Sequence, residues 1–161
     1  MSNTAAVAEV QPNEGFSYVD LNEVDPNIKP LPTDFYQLKV LKAEVKEFKY
    51  KNATKGGKQP GDIGEYIKFQ LAVTNNDTYA GRRLFPTLFF GARELRTLRK
   101  LMDATGVIQA PATPIAGWLA QLAEIQPEFK VQVLLVDGKD AGPDGKPIPE
   151  NQINWREILP V

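Results

Sequence analysis

The chain contains no cysteine and no histidine. Without cysteine, disulfides and thiolate metal sites are excluded. The missing histidine removes more chemistry, because imidazole is the usual general base near neutral pH and the commonest transition-metal ligand. Ser-His-Asp and Cys-His nucleophile systems and ordinary zinc sites are therefore ruled out. Only carboxylate chemistry, with Mg²⁺ or as paired acids, and lysine chemistry remain open to an enzyme. Long apolar runs are lacking too, since none approaches the ~18 residues of a membrane span. The start MSNTAAVAEVQPNEG has neither the basic region nor the apolar stretch of a signal peptide. A soluble, cytoplasmic, non-catalytic protein without cofactor or metal is expected.

What is present is enough to fold. Of the 161 residues, 42% are hydrophobic, which supports one domain with a core. The net charge of −1 hides an uneven distribution. Residues 1–34 carry six acids against Lys29 alone, whereas residues 35–100 carry fourteen Lys and Arg against six acids. Residues 101–161 return to four bases against eight acids. A basic block inside a near-neutral protein is the electrostatic footprint expected for a polyanion, although solvated strand faces can also be lysine-rich.

Residues 1–33 contain four prolines and several acids and read as an N-terminal arm, in which FSYVDL could form one extended segment. From residue 34 onward the pattern is that of a single mainly β domain. In FYQLKVLKAEVKEFKY, Tyr36, Leu38 and Val40 alternate on one face. The apolar parity then moves to Leu41, Ala43 and Val45, which requires a bulge or sharp bend. KNATKGGKQPGDIG (51–64) is a long Gly/Lys/Pro loop. In EYIKFQLAV the residues Ile67, Phe69, Leu71 and Val73 form the apolar face, opposite Tyr66, Lys68 and Gln70. A third strand over GRRLFPTLFF puts Leu84, Pro86, Leu88 and Phe90 on one face and Arg83, Phe85, Thr87 and Phe89 on the other, with Pro86 at an edge or bulge.

Periodicity changes to 3.6 in ARELRTLRKLMDATG, where Leu95, Leu98, Leu101 and Met102 make a stripe and Gly106 a stop. A second short helix is expected around Pro114–Ala123, burying Trp118, Leu119 and Leu122. EFKVQVLLV reads as a fourth strand, residues 137–152 as another long Gly/Pro loop, and INWREIL as a fifth strand. Three strands, a helical insert and two strands match a five-stranded OB-like barrel, with nucleic acid lying across strands two and three. An immunoglobulin-like sandwich with a helical insertion shares much of this pattern.

These residues resemble a family of small phage-encoded OB-fold single-stranded DNA-binding proteins. The likeness runs through V-D-x-x-x-V-D-P (Val19–Pro26), L-P-x-x-x-Y (Leu31–Tyr36) and A-E-x-K (Ala43–Lys46). It continues through Y-A-G-R-x-L-F (Tyr79–Phe85) and L-x-x-L-x-x-L-M-x-A-x-G (Leu95–Gly106), while the last third matches only in outline. The resemblance implies non-catalytic, largely sequence-independent binding of single-stranded DNA in phage replication or recombination, in the host cytoplasm. It implies replication and recombination proteins as further partners; monomer and homodimer both remain open. Many such proteins end in an acidic tail that recruits partners, whereas these residues close on NWREILPV, so a tail-mediated partner mechanism is not expected.

Sequence-tolerant binding of single strands needs cations for phosphates and aromatic faces for bases. The non-core parity supplies Lys42, Lys46, Phe48 and Tyr50 from the first strand and Tyr66 and Lys68 from the second. The third adds Arg82, Arg83, Phe85 and Phe89, and the loop adds Lys51, Lys55 and Lys58. Phe48, Phe85 and Phe89 would instead be core if the parity slips by one residue at a bulge. Trp118 and Trp155 read as packing residues, and Arg93, Arg96, Arg99 and Lys100 as a solvated helix face.

Two apparent motifs fail. Asp140–Lys146 lacks the ligands of a calcium loop, with Gly142 third and Asn151 twelfth. KNATKGGK lacks the spacing of a P-loop. The rival readings are a protein-interaction or structural module of the same β class and, more remotely, a Mg²⁺-dependent nuclease built from scattered carboxylates.

Overall fold

The alternation of the first strand breaks after Val40, and the pairing of its backbone shifts register at the same place. In the structure, a computed structural model that describes residues 29–161, β1 (Asp34–Lys49) pairs antiparallel with β2 (Ile63–Val73). Val40 lies opposite Leu71 and Lys42 opposite Gln70, which leaves Leu41 as the extra residue of a bulge. The bulge lets Tyr36, Leu38 and Val40 before it, and Ala43 after it, all reach the core. Most of the acidic arm, including the segment FSYVDL, lies outside the described residues.

The third strand forms in two pieces, β3 (Arg83–Leu84) and β4 (Thr87–Phe89), both paired with β2. Pro86 falls in the break, where its carbonyl still accepts from the Phe69 N–H at 3.0 Å. Two helices follow, α1 (Ala92–Thr105) and α2 (Ile115–Ile125), then β5 (Glu128–Ala141) and β6 (Pro147–Leu159). The result is one six-stranded antiparallel sheet in the order β3-β2-β1-β5-β6, with β4 also on β2. No helix among the described residues is long and apolar enough to cross a membrane.

The sheet curls without closing. Phe69 of β2 and Trp155 of β6 meet across the core with ring centroids 5.9 Å apart. The β3/β4 edge and β6 line opposite sides of a cleft of about 380 Å³, formed by Leu84, Phe85, Pro86 and Thr87 against Asn151, Gln152, Ile153 and Trp155. Closure would need a ladder between those edges. The edge strands are only two and three residues long, because the missing Pro86 N–H, on the side that faces β2, breaks their pairing with β2 in two. The closed five-stranded barrel expected from the sequence is thus an open six-stranded sheet.

The core fills the concave side. Phe69, Leu71, Phe129, Val131 and Val133 are wholly buried with Leu101, Leu119 and Leu122 of the helices. Trp118 is buried and donates its indole N–H to the Val107 carbonyl at 2.7 Å, so its polar edge is satisfied. Ahead of β1, Leu31 is buried and held as if by a neighbouring strand. The Asn151 side chain accepts from its N–H and donates to its carbonyl, both at 2.8 Å.

Three expectations need correction. Residues 137–152 form no long loop: β5 and β6 continue as a hairpin to Ala141 opposite Pro147, turning through Gly142–Lys146. Gly138 permits a close backbone approach there, since a Cβ would stand 2.5 Å from the Ile148 carbonyl oxygen. Leu95 is 48% exposed, because α1 turns Thr97, Leu98 and Leu101 to the core instead. Phe90, expected on the core face, is exposed past the end of β4.

Candidate nucleic-acid interface

The convex side of β1, β2 and the β3/β4 edge carries the residues of the non-core parity. Pairing sets them in rows across the sheet. Lys46, Tyr66 and Phe89 form one row; Glu44, Lys68 and Thr87 form the next; Lys42 and Gln70 follow. At the far end stand Lys39, Ala72 and Arg83. Cross-strand neighbours in such rows stand roughly 5 Å apart, close enough for one ligand to bridge several of them.

Four of the aromatics make a cluster. Phe48 contacts Tyr50 (4.8 Å between centroids), Tyr66 (6.1 Å) and Phe89 (5.3 Å), and Tyr66 contacts Phe89 (5.5 Å). Phe48, Tyr50 and Tyr66 are half-buried by one another, while Phe89 is 52% exposed. The cluster has room because residue 64, opposite Phe48, is glycine. A Cβ at Gly64 would lie 2.5 Å from Phe48 Cζ and 2.9 Å from the Tyr50 ring. Phe85 stands apart and is 57% exposed. It lines a shallow cleft of about 120 Å³ with Lys42, Glu44, Lys68, Phe69 and Gln70.

The cations surround these rings. Lys42, Lys46, Lys68 and Arg83 are exposed on the same face. Lys51, Lys55 and Lys58 are exposed on the loop that leaves Tyr50. That loop is ordered by its own turns: the Thr54 N–H donates to the Lys58 carbonyl (2.9 Å), the Lys58 N–H to Thr54 Oγ1 (3.2 Å), and the Tyr50 N–H to the Asp62 carbonyl (2.9 Å). Gly57 takes φ +89° at the tip, a left-handed conformation open to glycine.

Arg82 does not belong to this face. Its parity is that of Leu84, and its guanidinium donates to the Lys29 carbonyl, tying down the segment before β1. The structure thus sets Arg82 apart from the other cations expected to bind a ligand.

Sequence reading passed over Lys39, Glu44, Gly64 and Gln70. Parity alone could have found Lys39, Glu44 and Gln70; Gly64 becomes visible only once the register is known. Glu44 sits between two ammonium groups, 3.1 Å from Lys46 Nζ and 3.6 Å from Lys42 Nζ. The hydrogen bond from Lys46, aided by the nearby Lys42, holds its carboxyl below the ordinary glutamate range, so it stays ionised. Compared with protein-family models and with curated proteins, the chain matches none.

Proposed function

We propose that the chain is a non-catalytic single-stranded DNA-binding module that lays its ligand across the convex face of β1, β2 and β4. One observation carries the reading: an aromatic cluster and several exposed lysines share one sheet face beside a lysine-bearing loop. Stacking is worth about 1–3 kcal/mol per base, so two or three rings supply much of the non-ionic affinity. The lysines supply the salt-dependent remainder, with a log–log slope near −0.7 per phosphate neutralised.

In this reading the open sheet is an OB-type barrel parted along the seam between β4 and β6. The likeness of Tyr79–Phe85 and Leu95–Gly106 to phage single-stranded DNA-binding proteins supports the choice of ligand and a role in replication or recombination.

The test is fluorescence anisotropy with a labelled oligo-dT at two salt concentrations. Binding near micromolar concentrations at low salt, weakening steeply as salt rises, is the expected result. Absence of binding at low salt overturns the proposal.

A further inference from the structure

A carboxylate in the middle of a phosphate-binding face is a liability unless it meets something other than phosphate. Glu44 is in that position. It projects from the convex face between Lys42 and Lys46, opposite Lys68, and lines the cleft that Phe85 and Gln70 also line. Two ammonium contacts do not exhaust an ionised carboxylate, whose two oxygens offer about four lone-pair sites, so acceptor capacity remains.

The cleft therefore holds the parts of a single-nucleotide subsite. The exposed Phe85 ring offers a stacking platform, Lys42 and Lys68 can flank a phosphate, and Glu44 and Gln70 line the cleft where the edge of a base stacked on Phe85 would lie. We infer that this cleft selects bases with an exocyclic amine, cytosine in particular, over thymine. The inference rests on the single-strand reading and refines it from sequence-independent binding to a base preference at one position.

The chemistry follows from hydrogen-bond inventory. An ionised carboxylate only accepts. Cytosine presents its N4 amine as a donor, the pairing by which Glu and Asp read that base. Thymine presents a carbonyl oxygen at the corresponding position, which meets the carboxylate acceptor to acceptor. Gln70 can donate or accept and discriminates against neither. The neighbouring ammonium groups keep Glu44 charged near neutral pH, so the acceptor is present in the free protein.

Anisotropy titrations with oligo-dC and oligo-dT of equal length, at one salt concentration, test this. The two pyrimidines share a ring size, so stacking on Phe85 differs little between them. Because one charge-assisted contact in an open cleft lies at the weak end of base readout, dC should bind roughly three- to tenfold tighter. Glu44→Gln should bring the two affinities together by raising that for dT, since an amide can turn either group toward the base. Phe85→Ala should weaken both.

Equal binding of dC and dT by the unaltered chain overturns the inference alone. So does Glu44→Gln tightening both equally, which would make Glu44 a mere repeller of phosphates. Binding of neither oligonucleotide overturns the single-strand reading, and this inference with it.

Discussion

Gly64→Ala separates the site from the fold more sharply than removing any ring. The new methyl group would stand 2.5 Å from Phe48 Cζ, 2.6 Å from Phe48 Cε1 and 2.9 Å from Tyr50 Cε2, so the Phe48 ring must move and the Tyr50 ring must give way with it. They can do so cheaply, because what yields is the far end of half-buried side chains and not backbone. Moving Phe48 breaks contacts with Tyr66 at 6.1 Å and Phe89 at 5.3 Å. Such pairs are worth about 0.5–1.5 kcal/mol each when well packed, and these are partly solvated. Against that loss, alanine in a strand gains roughly 0.4–1 kcal/mol over glycine by restricting the unfolded chain. With the pairs discounted for solvation, the net loss is at most about 1–2 kcal/mol. Thermal unfolding should shift by no more than several degrees, taking about 2–4 °C per kcal/mol for a chain of this size. Binding should behave differently. A displaced Phe48 forfeits one stacking position, about 1–3 kcal/mol, or roughly five- to 150-fold in Kd for oligo-dT. Circular dichroism melting and anisotropy on the same sample give both numbers. Unchanged affinity, or a collapse of stability with no separate loss of binding, would refute the reasoning.

Other outcomes follow from the same geometry. Tyr66→Ala should weaken oligo-dT binding with a stability change within about 1 kcal/mol, whereas Phe69→Ala, wholly buried against Trp155, should cost about 3–5 kcal/mol in denaturant unfolding. An exchange of those behaviours would invert the faces of β2. Asn151→Ala removes both hydrogen bonds to Leu31 and should destabilise by about 1–3 kcal/mol, with faster amide exchange at Leu31 as the local readout. Glu128 accepts from Thr74 Oγ1 at 2.6 Å and from Gln37 Nε2 at 3.0 Å, and these bonds hold its carboxyl below the ordinary range. A depressed folded-state pKa gives stability that is present above the unfolded-state value and is lost as pH falls through the folded-state one. Acid titration of the melting temperature should therefore show a decline below the ordinary glutamate range that Thr74→Val makes shallower.

Much of this architecture is legible in the sequence because burial imposes period two on the strands. The switch at Leu41 is readable since both halves of β1 must reach one core, and only a bulge reconciles them. Pro86 marks its own break, because a residue without an N–H cannot continue a ladder. The β5–β6 hairpin is hidden for the opposite reason. Its outer half buries nothing, so no alternation betrays it, and its Gly, Pro and Asp residues read as loop although backbone pairing alone holds them extended. Barrel closure is equally unreadable, since it depends on how far a curled sheet brings two edges together. In the site, parity puts Tyr66, Phe48 and Phe89 on one face, and strictly applied it sets Arg82 with Leu84 on the other, as the structure has it. Glu44 escapes notice because a search for cations and rings does not ask which acids share their face.

The most direct measurement is an amide chemical-shift titration of the full chain with a short oligo-dT. Shifts concentrated at residues 42–50, 64–70 and 83–89, with the 51–58 loop responding alongside, are the predicted result. Shifts confined to the helices or the β5–β6 hairpin, or none at saturating oligonucleotide, would contradict the assignment of the convex face as the binding surface.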